Sequence, residues 1–265
     1  MRDEATHKRL IMEQFALQAI PFSEIPGHSQ SLRMLVEMAG ASKTGEVLDV
    51  ACGPGIVACE FACHCGHVTG IDVTPQMIAQ ARERQKSRRL KNLTWQVGDV
   101  MTLPFPDSRF DVVLTRYSFH HFLAPGRILA EMARVCRKGG RVVVADVVLP
   151  VDKTAVYDEL ETLRDPSHVH ALSFEEMASV WESAPLANMR TAMYKVDLEV
   201  EEQLRASFPN PGDVEKIRAI FKDDIGVDRL GINAHWQDGT IHYSVPVMIV
   251  TGEKNIAFVG PNVGT

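Results

Sequence analysis

The sequence predicts an α/β protein with a doubly wound, mostly parallel seven-stranded sheet and helices on both faces. From residue 46 onwards, short apolar runs alternate with segments of helical spacing, a pattern typical of βαβ units and a parallel sheet. Runs such as Val142–Ala145 are apolar at every position, which indicates strands covered on both faces. A glycine-rich turn at Cys52–Gly55 joins the first of these strands to the first helix, where small residues let the backbone approach a ligand.

The pattern locates each element. The predicted strands cover residues 47–50, 66–73, 95–97, 110–114, 140–146, 190–198 and 241–250. The predicted helices cover residues 55–64, 75–89, 125–136, 173–183 and 200–223, after two helices in residues 1–40. Pro246 removes a ladder donor from the last strand, so we expect that strand to be at an edge or to carry a bulge.

Composition limits the function classes. The chain of 265 residues carries 34 acidic and 28 basic side chains, a net charge of −6, which argues against a nucleic-acid partner. No run approaches the roughly 18 apolar residues of a membrane span, and the start of the chain has no apolar signal region. Five cysteines in a chain of this length are typical of a reducing compartment. We therefore expect a cytoplasmic protein, a monomer or homodimer, that acts on a small molecule.

Acidic residues follow three neighbouring strands of the predicted sheet. Asp49 lies in the first strand, Asp72 ends the second and Asp99 follows the third. In doubly wound folds, an acid at the end of the second strand accepts hydrogen bonds from a ribose diol. Three acids on one sheet edge, beside a glycine loop, suit a nucleoside ligand that carries an amine or an exocyclic NH₂.

The segments around these acids resemble the motif series of class I methyltransferases, and more narrowly the ubiquinone/menaquinone C-methyltransferase-like group (methyltransferase type 11). The resemblance is strong over residues 46–150 and loose over the N-terminal helices. It is carried by Val47–Gly55, Gly70–Met77, Gly98–Phe105, Phe110–Val113, Arg116–Phe122 and Ala133–Gly140.

The resemblance implies S-adenosylmethionine as cofactor, with S-adenosylhomocysteine as product. The loop residues Ala51, Cys52, Gly53 and Gly55 would hold its methionyl end, with Asp49 at the head of that loop. Its ribose would bind Asp72, its adenine would lie between Val73 and Met77, and the adenine amino edge would face Asp99 and the Val100 backbone. The Arg116 carbonyl would face the methionyl amine. The family usually has glycine where Ala51 stands, and we expect this methyl group to alter loop packing without abolishing binding.

The resemblance also divides the chain by role. Residues 1–252 would form a single domain, with an N-terminal helical lid (1–40), a cofactor-binding core (46–150) and an acceptor-side region with a helical cap before the last strand (151–240). Residues 253–265 would be a tail. The lid would close the site through Phe15, Gln18 and Phe22, for which ordinary helix packing is an equal alternative.

The implied activity is methyl transfer to a carbon, nitrogen or oxygen atom of a small ring-containing metabolite, quinone-like or heteroaromatic. Two alternatives remain. Gly53–Ala58 also fits the dinucleotide fingerprint G-x-G-x-x-A, which would indicate an NAD-dependent oxidoreductase. A binding protein that retains the cofactor without turnover is the other.

Candidate catalytic residues follow the fourth strand and the fifth. A base is needed only if the acceptor loses a proton, and His121, with its neighbour His120, lies where the methyl group should be transferred. Tyr117 could contact the acceptor or the cofactor amine. His168 lies in the histidine-rich stretch 164–170 and could either contact the acceptor or anchor the loop, as His121 could shape its own loop.

A cysteine cluster offers a further site. Cys59, Cys63 and Cys65 lie near His64 and His67. Free cysteine packs as a small hydrophobe, and the spacing does not provide a complete zinc ligand set. We therefore predict core packing and no metal here.

Overall fold

The structure is a computed structural model that describes residues 3–21 and 31–255. The predicted lid contact Phe22 and most of the predicted tail lie outside these ranges. The described strands are β1 (Glu46–Val50), β2 (His67–Asp72), β3 (Leu93–Val97), β4 (Phe110–Arg116), β5 (Cys136–Val147), β6 (Leu186–Glu199), β7 (His235–Gln237) and β8 (Thr240–Lys254). The described helices are α1 (Glu4–Gln18), α2 (Leu32–Ala39), α3 (Ile56–Phe61), α4 (Pro75–Ser87), α5 (Pro125–Val135), α6 (Val151–Arg164), α7 (Phe174–Glu182), α8 (Val200–Ala206) and α9 (Asp213–Asp224).

All described strands belong to one sheet, in the order β3-β2-β1-β4-β5-β8-β6, and β7 pairs with β8. The first five strands of this order are parallel, whereas β8 is antiparallel to its neighbours β5 and β6. The chain moves outward from β1 to β3 and then returns to β4 on the other side of β1. This reversal creates a crevice at the carboxyl ends of β1 and β4, where open α/β sheets bind ligands. The predicted fold class is confirmed, with the hairpin strand β7 as an addition.

Helices cover both faces of the sheet. On one face, α2, α3 and α4 pack around Leu35, Phe61 and Ile78. On the other, α5 and α7 pack around Met132 and Trp181. A third cluster joins α6, α8 and α9 to one end of β8 and forms the core of the predicted cap.

The structure shows that the prediction for Pro246 was wrong. β8 lies inside the sheet, and its register with β6 is unbroken where Pro246 faces Lys195. The Pro246 carbonyl accepts a hydrogen bond from the Val148 N–H at 3.2 Å. The N–H and C=O of a strand residue point towards the same neighbouring strand. The N–H that Pro246 lacks would therefore have pointed towards β5. The pairing of β5 with β8 has already ended at Val147 and Val247, so no ladder bond is lost.

The cap also differs from the prediction. The single helix expected over 200–223 is two helices, α8 and α9. Pro209 and Pro211 lie between them, and each proline disfavours helical backbone at the residue before it. Helix α6 was not predicted at all. The last strand continues to Lys254, two residues into the predicted tail. Within the described ranges, no helix is both long and apolar enough to cross a bilayer.

Candidate active site

A cavity of about 400 Å³ lies at the carboxyl edge of the sheet, beneath α1. Its floor is formed by the residues that follow β1, β2, β3 and β4. All the predicted cofactor residues except Asp49 and Gly55 line it: Ala51, Cys52, Gly53, Asp72, Val73, Met77, Asp99, Val100 and Arg116. The volume is within the range of about 300–1,000 Å³ that is usual for cofactor and ligand pockets.

Asp72 fixes the loop between β1 and α3. Its carboxylate accepts hydrogen bonds from the Gly53 N–H at 2.9 Å and from the Thr74 N–H at 2.8 Å. Burial raises the pKa of Asp72 in spite of these two donors. The side chain therefore orders the loop and also forms part of the cavity wall.

Gly55 has a packing role. It has a φ of +74°, and a Cβ atom there would lie 2.7 Å from the Trp95 ring and 2.9 Å from the Ala81 Cβ. The glycine lets the start of α3 approach α4 and β3, and it lies behind the cavity wall.

Asp49 lies at the base of the loop with an unsatisfied oxygen. The side chain is buried, and its Oδ2 has no hydrogen-bond partner among the described residues. Burial raises the pKa of Asp49 to about 8, although the Ala58 N–H opposes the rise. A ligand with a cationic amine would suit such a carboxyl group, because a nearby positive charge favours its ionised form.

Asp99 is held by the lid. Its Oδ2 lies 2.6 Å from the Lys8 Nζ of α1, and its Oδ1 accepts from the Met101 N–H at 2.9 Å. Burial raises the pKa of Asp99, but these two partners outweigh it and the net pKa is lowered. Lys8 thus occupies the carboxylate that the resemblance assigns to the adenine amino edge.

Other contacts also connect α1 to the site. The His7 Nε2 lies 2.7 Å from the His121 carbonyl, and the Gln18 amide donates to Asp165 at 2.9 Å. The Phe15 ring meets the His121 ring edge to face, with 5.0 Å between centroids. Helix α1 therefore covers the cavity as a lid, and two of the three predicted lid residues make contacts there.

A second cavity of about 90 Å³ adjoins the first and shares Phe15, Tyr117 and His121 with it. Side chains from the sheet and the cap enclose it. Its apolar wall consists of Val147, Val196, Leu198, Val245 and Val247, and its other lining residues are Gln18, His120, Tyr157, Glu161, Arg164, Asp165, Gln203 and Tyr243.

Tyr117 has strained backbone and a fixed side chain. Its φ is +56°, an uncommon value for a bulky residue. Its hydroxyl lies 2.9 Å from the Tyr194 hydroxyl and accepts a hydrogen bond from Arg116 at 2.7 Å. Burial raises the pKa of Tyr117 well above its usual value, so the hydroxyl stays protonated at the junction of the cavities.

His121 is buried between the two cavities. Its Nδ1 lies 3.1 Å from the Ser167 carbonyl and 3.2 Å from the Ser167 hydroxyl. Burial and the neighbouring His120 lower the pKa of His121 to about 3, so the ring is neutral at physiological pH. Both expected roles, loop shaping and contact with the site, are compatible with these contacts.

His168 lines neither cavity. Its Nε2 lies 2.7 Å from Asp158, which also holds His170 at 2.6 Å. These are the contacts of a loop anchor. The ring stands behind His120, at 5.6 Å between centroids.

His120 has contacts that the sequence did not predict. Its Nδ1 lies 2.6 Å from Asp146, at the end of β5, and its ring lines the second cavity. The signal available in the sequence was the acid at the end of the fifth strand. Asp146 lies one strand away from the paired histidines, but sequence alone does not show which ring it meets.

The cysteine cluster is divided between the core and the surface. Cys59 and Cys65 are buried, and Cys63 is exposed. The Cys63 Sγ lies 3.6 Å from the Arg88 guanidinium. In the part of the chain that the structure describes, no group of three or more histidine, cysteine, aspartate or glutamate side chains is placed to hold a metal ion.

Comparisons with known proteins agree with this geometry. A family model described as a methyltransferase domain matches residues 48–144. The uncharacterized methyltransferase YcgJ of Bacillus subtilis is 30% identical over 191 residues, which cover 71% of this chain and 74% of YcgJ. The crystal structure of YcgJ has a TM-score of 0.76 at 25% identity, covering 87% of this chain and 99% of that one.

Two further proteins extend the comparison. A putative methyltransferase from Bacillus halodurans has a TM-score of 0.76 at 24% identity, covering 85% of this chain and 99% of that one. The demethylmenaquinone methyltransferase of Tropheryma whipplei is 38% identical over 120 residues, which cover 44% of this chain and 48% of that protein. These findings favour methyl transfer over the dinucleotide alternative. The chain belongs to the S-adenosylmethionine-dependent methyltransferases of the class I fold.

Proposed function

We propose that the larger cavity binds S-adenosylmethionine and that the smaller cavity binds a small ring-containing metabolite, which receives the methyl group. The observation that carries this proposal is the common wall of the two cavities, formed by Phe15, Tyr117 and His121. A shared wall allows two ligands to meet at one point, and holding the reactants together is the main contribution that a protein makes to this chemistry.

The residues of the larger cavity fit the cofactor. Asp49 does not line the cavity, but its unsatisfied carboxyl oxygen lies at the base of the loop that would hold the cationic amine. Asp72 and Asp99 stand at the next two strand ends, with Val73 and Met77 between them in the chain as apolar wall. When bound, S-adenosylmethionine supplies an electrophilic methyl group on a positively charged sulfur. The chain itself binds and orients the two ligands, and α1 excludes water from them.

The smaller cavity suits a flat ring with polar substituents. Phe15, Tyr117, Tyr157 and Tyr243 provide aromatic surface, and valine and leucine side chains add apolar surface. The polar part of the wall includes His120, Glu161, Arg164, Asp165 and Gln203. A cavity of about 150 Å³ binds benzene, so we expect a ring in this smaller space to extend to the junction with the larger cavity. The relationship to a demethylmenaquinone methyltransferase favours a quinone-like ring, and a heteroaromatic ring is the second candidate.

Calorimetry tests the cofactor assignment. We expect the purified protein to bind S-adenosylhomocysteine and not NADH. Met77→Ala should weaken that binding about tenfold, because it removes most of an apolar wall worth about 1.5–3 kcal/mol. Met189→Ala is the matched control, since Met189 is exposed on β6. Binding of NADH instead would overturn the assignment.

Turnover tests the acceptor. The protein is incubated with methyl-labelled S-adenosylmethionine and with a panel of quinols, phenols and heteroaromatic compounds. A labelled ring product supports the proposal. Tight binding of S-adenosylhomocysteine with no product from the panel or from a metabolite extract would favour the alternative of a binding protein without turnover.

A further inference from the structure

We infer that His120, oriented by Asp146, is the base that removes a proton from a ring hydroxyl of the acceptor. The inference rests on the proposed function, because it names the acceptor class and the proton-accepting residue of the same site. Three independent features carry it: the geometry of the His120–Asp146 pair, the polar groups that face the second cavity, and the charge balance around them.

The geometry is that of a base held in one orientation. The His120 Nδ1 lies 2.6 Å from the Asp146 Oδ1. The other Asp146 oxygen accepts from the N–H groups of Ser118 and Phe119 at 2.8 and 2.7 Å. These contacts fix the orientation of the carboxylate. In the neutral ring, the Nδ1 then carries the proton and donates it to Asp146, so the Nε2 is the nitrogen that can accept a proton. Nε2 has no hydrogen-bond partner among residues 3–21 and 31–255, and the ring lines the second cavity.

The surroundings favour proton uptake by His120. Burial lowers the pKa of His120, but the negative charge and hydrogen bond of Asp146 outweigh it, so the net pKa is raised. The other ionisable groups around the ring are Glu161 and Arg164 of α6, and His121 and His168. Asp165, Tyr117, Tyr157 and Tyr243 line the same cavity, and Asp165, whose pKa is lowered, forms hydrogen bonds with Gln18 and Ser167. Glu161 and Arg164 pair at 2.5 Å and largely cancel each other's charge. Asp146 is therefore the dominant partner of an imidazolium at this position.

Further polar groups face the same cavity. The hydroxyls of Tyr157 and Tyr243 have no hydrogen-bond partner in the described structure, and burial raises the pKa of both. They therefore remain O–H donors. The buried Gln203 Oε1 also lacks a partner in the described structure. A buried polar atom without a partner is costly. A hydroxyl substituent on the acceptor would satisfy the Gln203 oxygen, and the two tyrosine hydroxyls could donate to its oxygen atoms.

The presence of a base selects among acceptor classes. A neutral amine already has a free electron pair and needs no base before it attacks a methyl group. A phenol or hydroquinone must lose its proton, because the neutral hydroxyl is a poor nucleophile. A hydroxylated ring is therefore the acceptor that this cavity fits.

The hydroxyl oxygen forms the new bond to the methyl carbon with one of its electron pairs. The carbon–sulfur bond breaks, and its electrons go to sulfur, which becomes a neutral thioether. The hydroxyl proton passes to the His120 Nε2, and the imidazolium later releases it to water.

A spectroscopic probe tests the inference without turnover. The protein saturated with S-adenosylhomocysteine is titrated with 4-nitrophenol, whose phenolate and phenol forms absorb at different wavelengths. In the wild type we expect the bound probe to ionise at lower pH than in His120→Gln. At one pH the phenolate-to-phenol ratio should fall about tenfold in the variant, which corresponds to one pKa unit. His64→Gln is the matched control, because His64 is an exposed histidine away from both cavities.

A second variant separates orientation from folding. Asp146 acts through His120 as a positioning residue. Once an acceptor is known, Asp146→Asn should move the acidic limb of the pH–rate profile to lower pH, because the His120 pKa is no longer raised. His120→Gln should lower turnover about 100-fold or more. Calorimetry with S-adenosylhomocysteine shows that each variant is folded.

If S-adenosylhomocysteine does not bind the wild type, the proposed function fails. If it binds, but 4-nitrophenol does not bind or ionises identically in wild type and His120→Gln, the role of His120 is overturned. A phenolate signal that is lost in His120→Gln and retained in His64→Gln supports it.

Discussion

At the residue scale, Ala51 is the clearest departure from the family pattern, and the structure gives the physical reason why glycine is usual there. Its φ is +54°, in the left-handed region where a Cβ atom crowds the following carbonyl at a cost of about 1–2 kcal/mol. Tyr117, at the junction of the two cavities, has the same kind of strain. Both residues line the larger cavity.

We expect Ala51→Gly to raise the free energy of unfolding by about 0.5–1 kcal/mol. Relief of the left-handed strain exceeds the extra entropy that glycine loses on folding. Urea denaturation measures the change. Ala58→Gly is the control, because Ala58 is buried inside α3, where glycine costs about 1 kcal/mol. Equal losses at both positions would contradict the strain argument.

Asp49 gives a pH prediction. Its pKa is about 8 in the folded chain against a reference of 3.8, so between pH 4 and pH 8 the folded state binds more protons than the unfolded state. The contribution of Asp49 to stability therefore falls as pH rises through this window. We expect Asp49→Asn to be more stable than wild type at pH 8, by at least about 1 kcal/mol, when no cofactor is present. Denaturation at several pH values measures the difference, and a difference that does not change with pH would argue against a raised pKa.

The sequence indicated the three strand-end acids because each follows a recognisable apolar strand. The His120–Asp146 pair was not predicted, because the contact joins two strand ends and depends on the rotation of one short turn at Phe119–His121. His168 could not be assigned either, since only the fold reveals that Asp158 holds it. The position of a residue in a local motif can thus be predicted from sequence. Which side chains meet across the sheet edge can be seen only in the structure.

At the element scale, most strands and helices of the core were predictable because their apolar residues keep strand or helix spacing. Helix α6 was not, because part of its inward face is formed by Tyr157, Glu161 and Arg164, which line the second cavity. Polar residues at buried positions hide the helical period. The element that sequence reasoning missed is the one whose buried face carries functional groups.

Helix α1 yields a prediction about cofactor entry. Lys8 pairs with Asp99, and both side chains are substantially exposed, at 45% and 40%. Such a pair is worth about 0.2–1 kcal/mol, and a cofactor that uses Asp99 must displace Lys8. We expect Lys8→Met to tighten S-adenosylhomocysteine binding by about two- to fivefold at low salt, as measured by calorimetry.

Salt provides the check on this prediction. The advantage of Lys8→Met should shrink at high ionic strength, where exposed ion pairs are screened. Arg9→Met is the matched control, since Arg9 lies on the same helix and pairs with Glu13 instead. Weaker binding by Lys8→Met would mean that Lys8 holds the lid closed over the cofactor.

At the scale of the whole molecule, the two cavities draw on different parts of the chain. The larger cavity is built from α1 and the edge formed by β1 to β4. The smaller cavity adds side chains from α6, α8, β6 and β8, which belong largely to the third apolar cluster. Cofactor binding and acceptor binding should therefore depend on different packing.

Phe221 tests this division. It is buried in α9, and its ring lies 4.7 Å from that of Tyr243, which lines the smaller cavity. We expect Phe221→Ala to cost about 3–5 kcal/mol and to loosen the cap first, because the lost contacts lie there. Hydrogen exchange should accelerate in α6, α8 and α9 while S-adenosylhomocysteine affinity changes less than about twofold, as local unfolding of one packed unit allows.

Phe110→Ala is the matched control, since Phe110 is buried in the core between the sheet and α5, where the same loss should affect the strands. Uniform acceleration in both variants would mean that core and cap unfold as one unit, and the acceptor side would then have no independent stability.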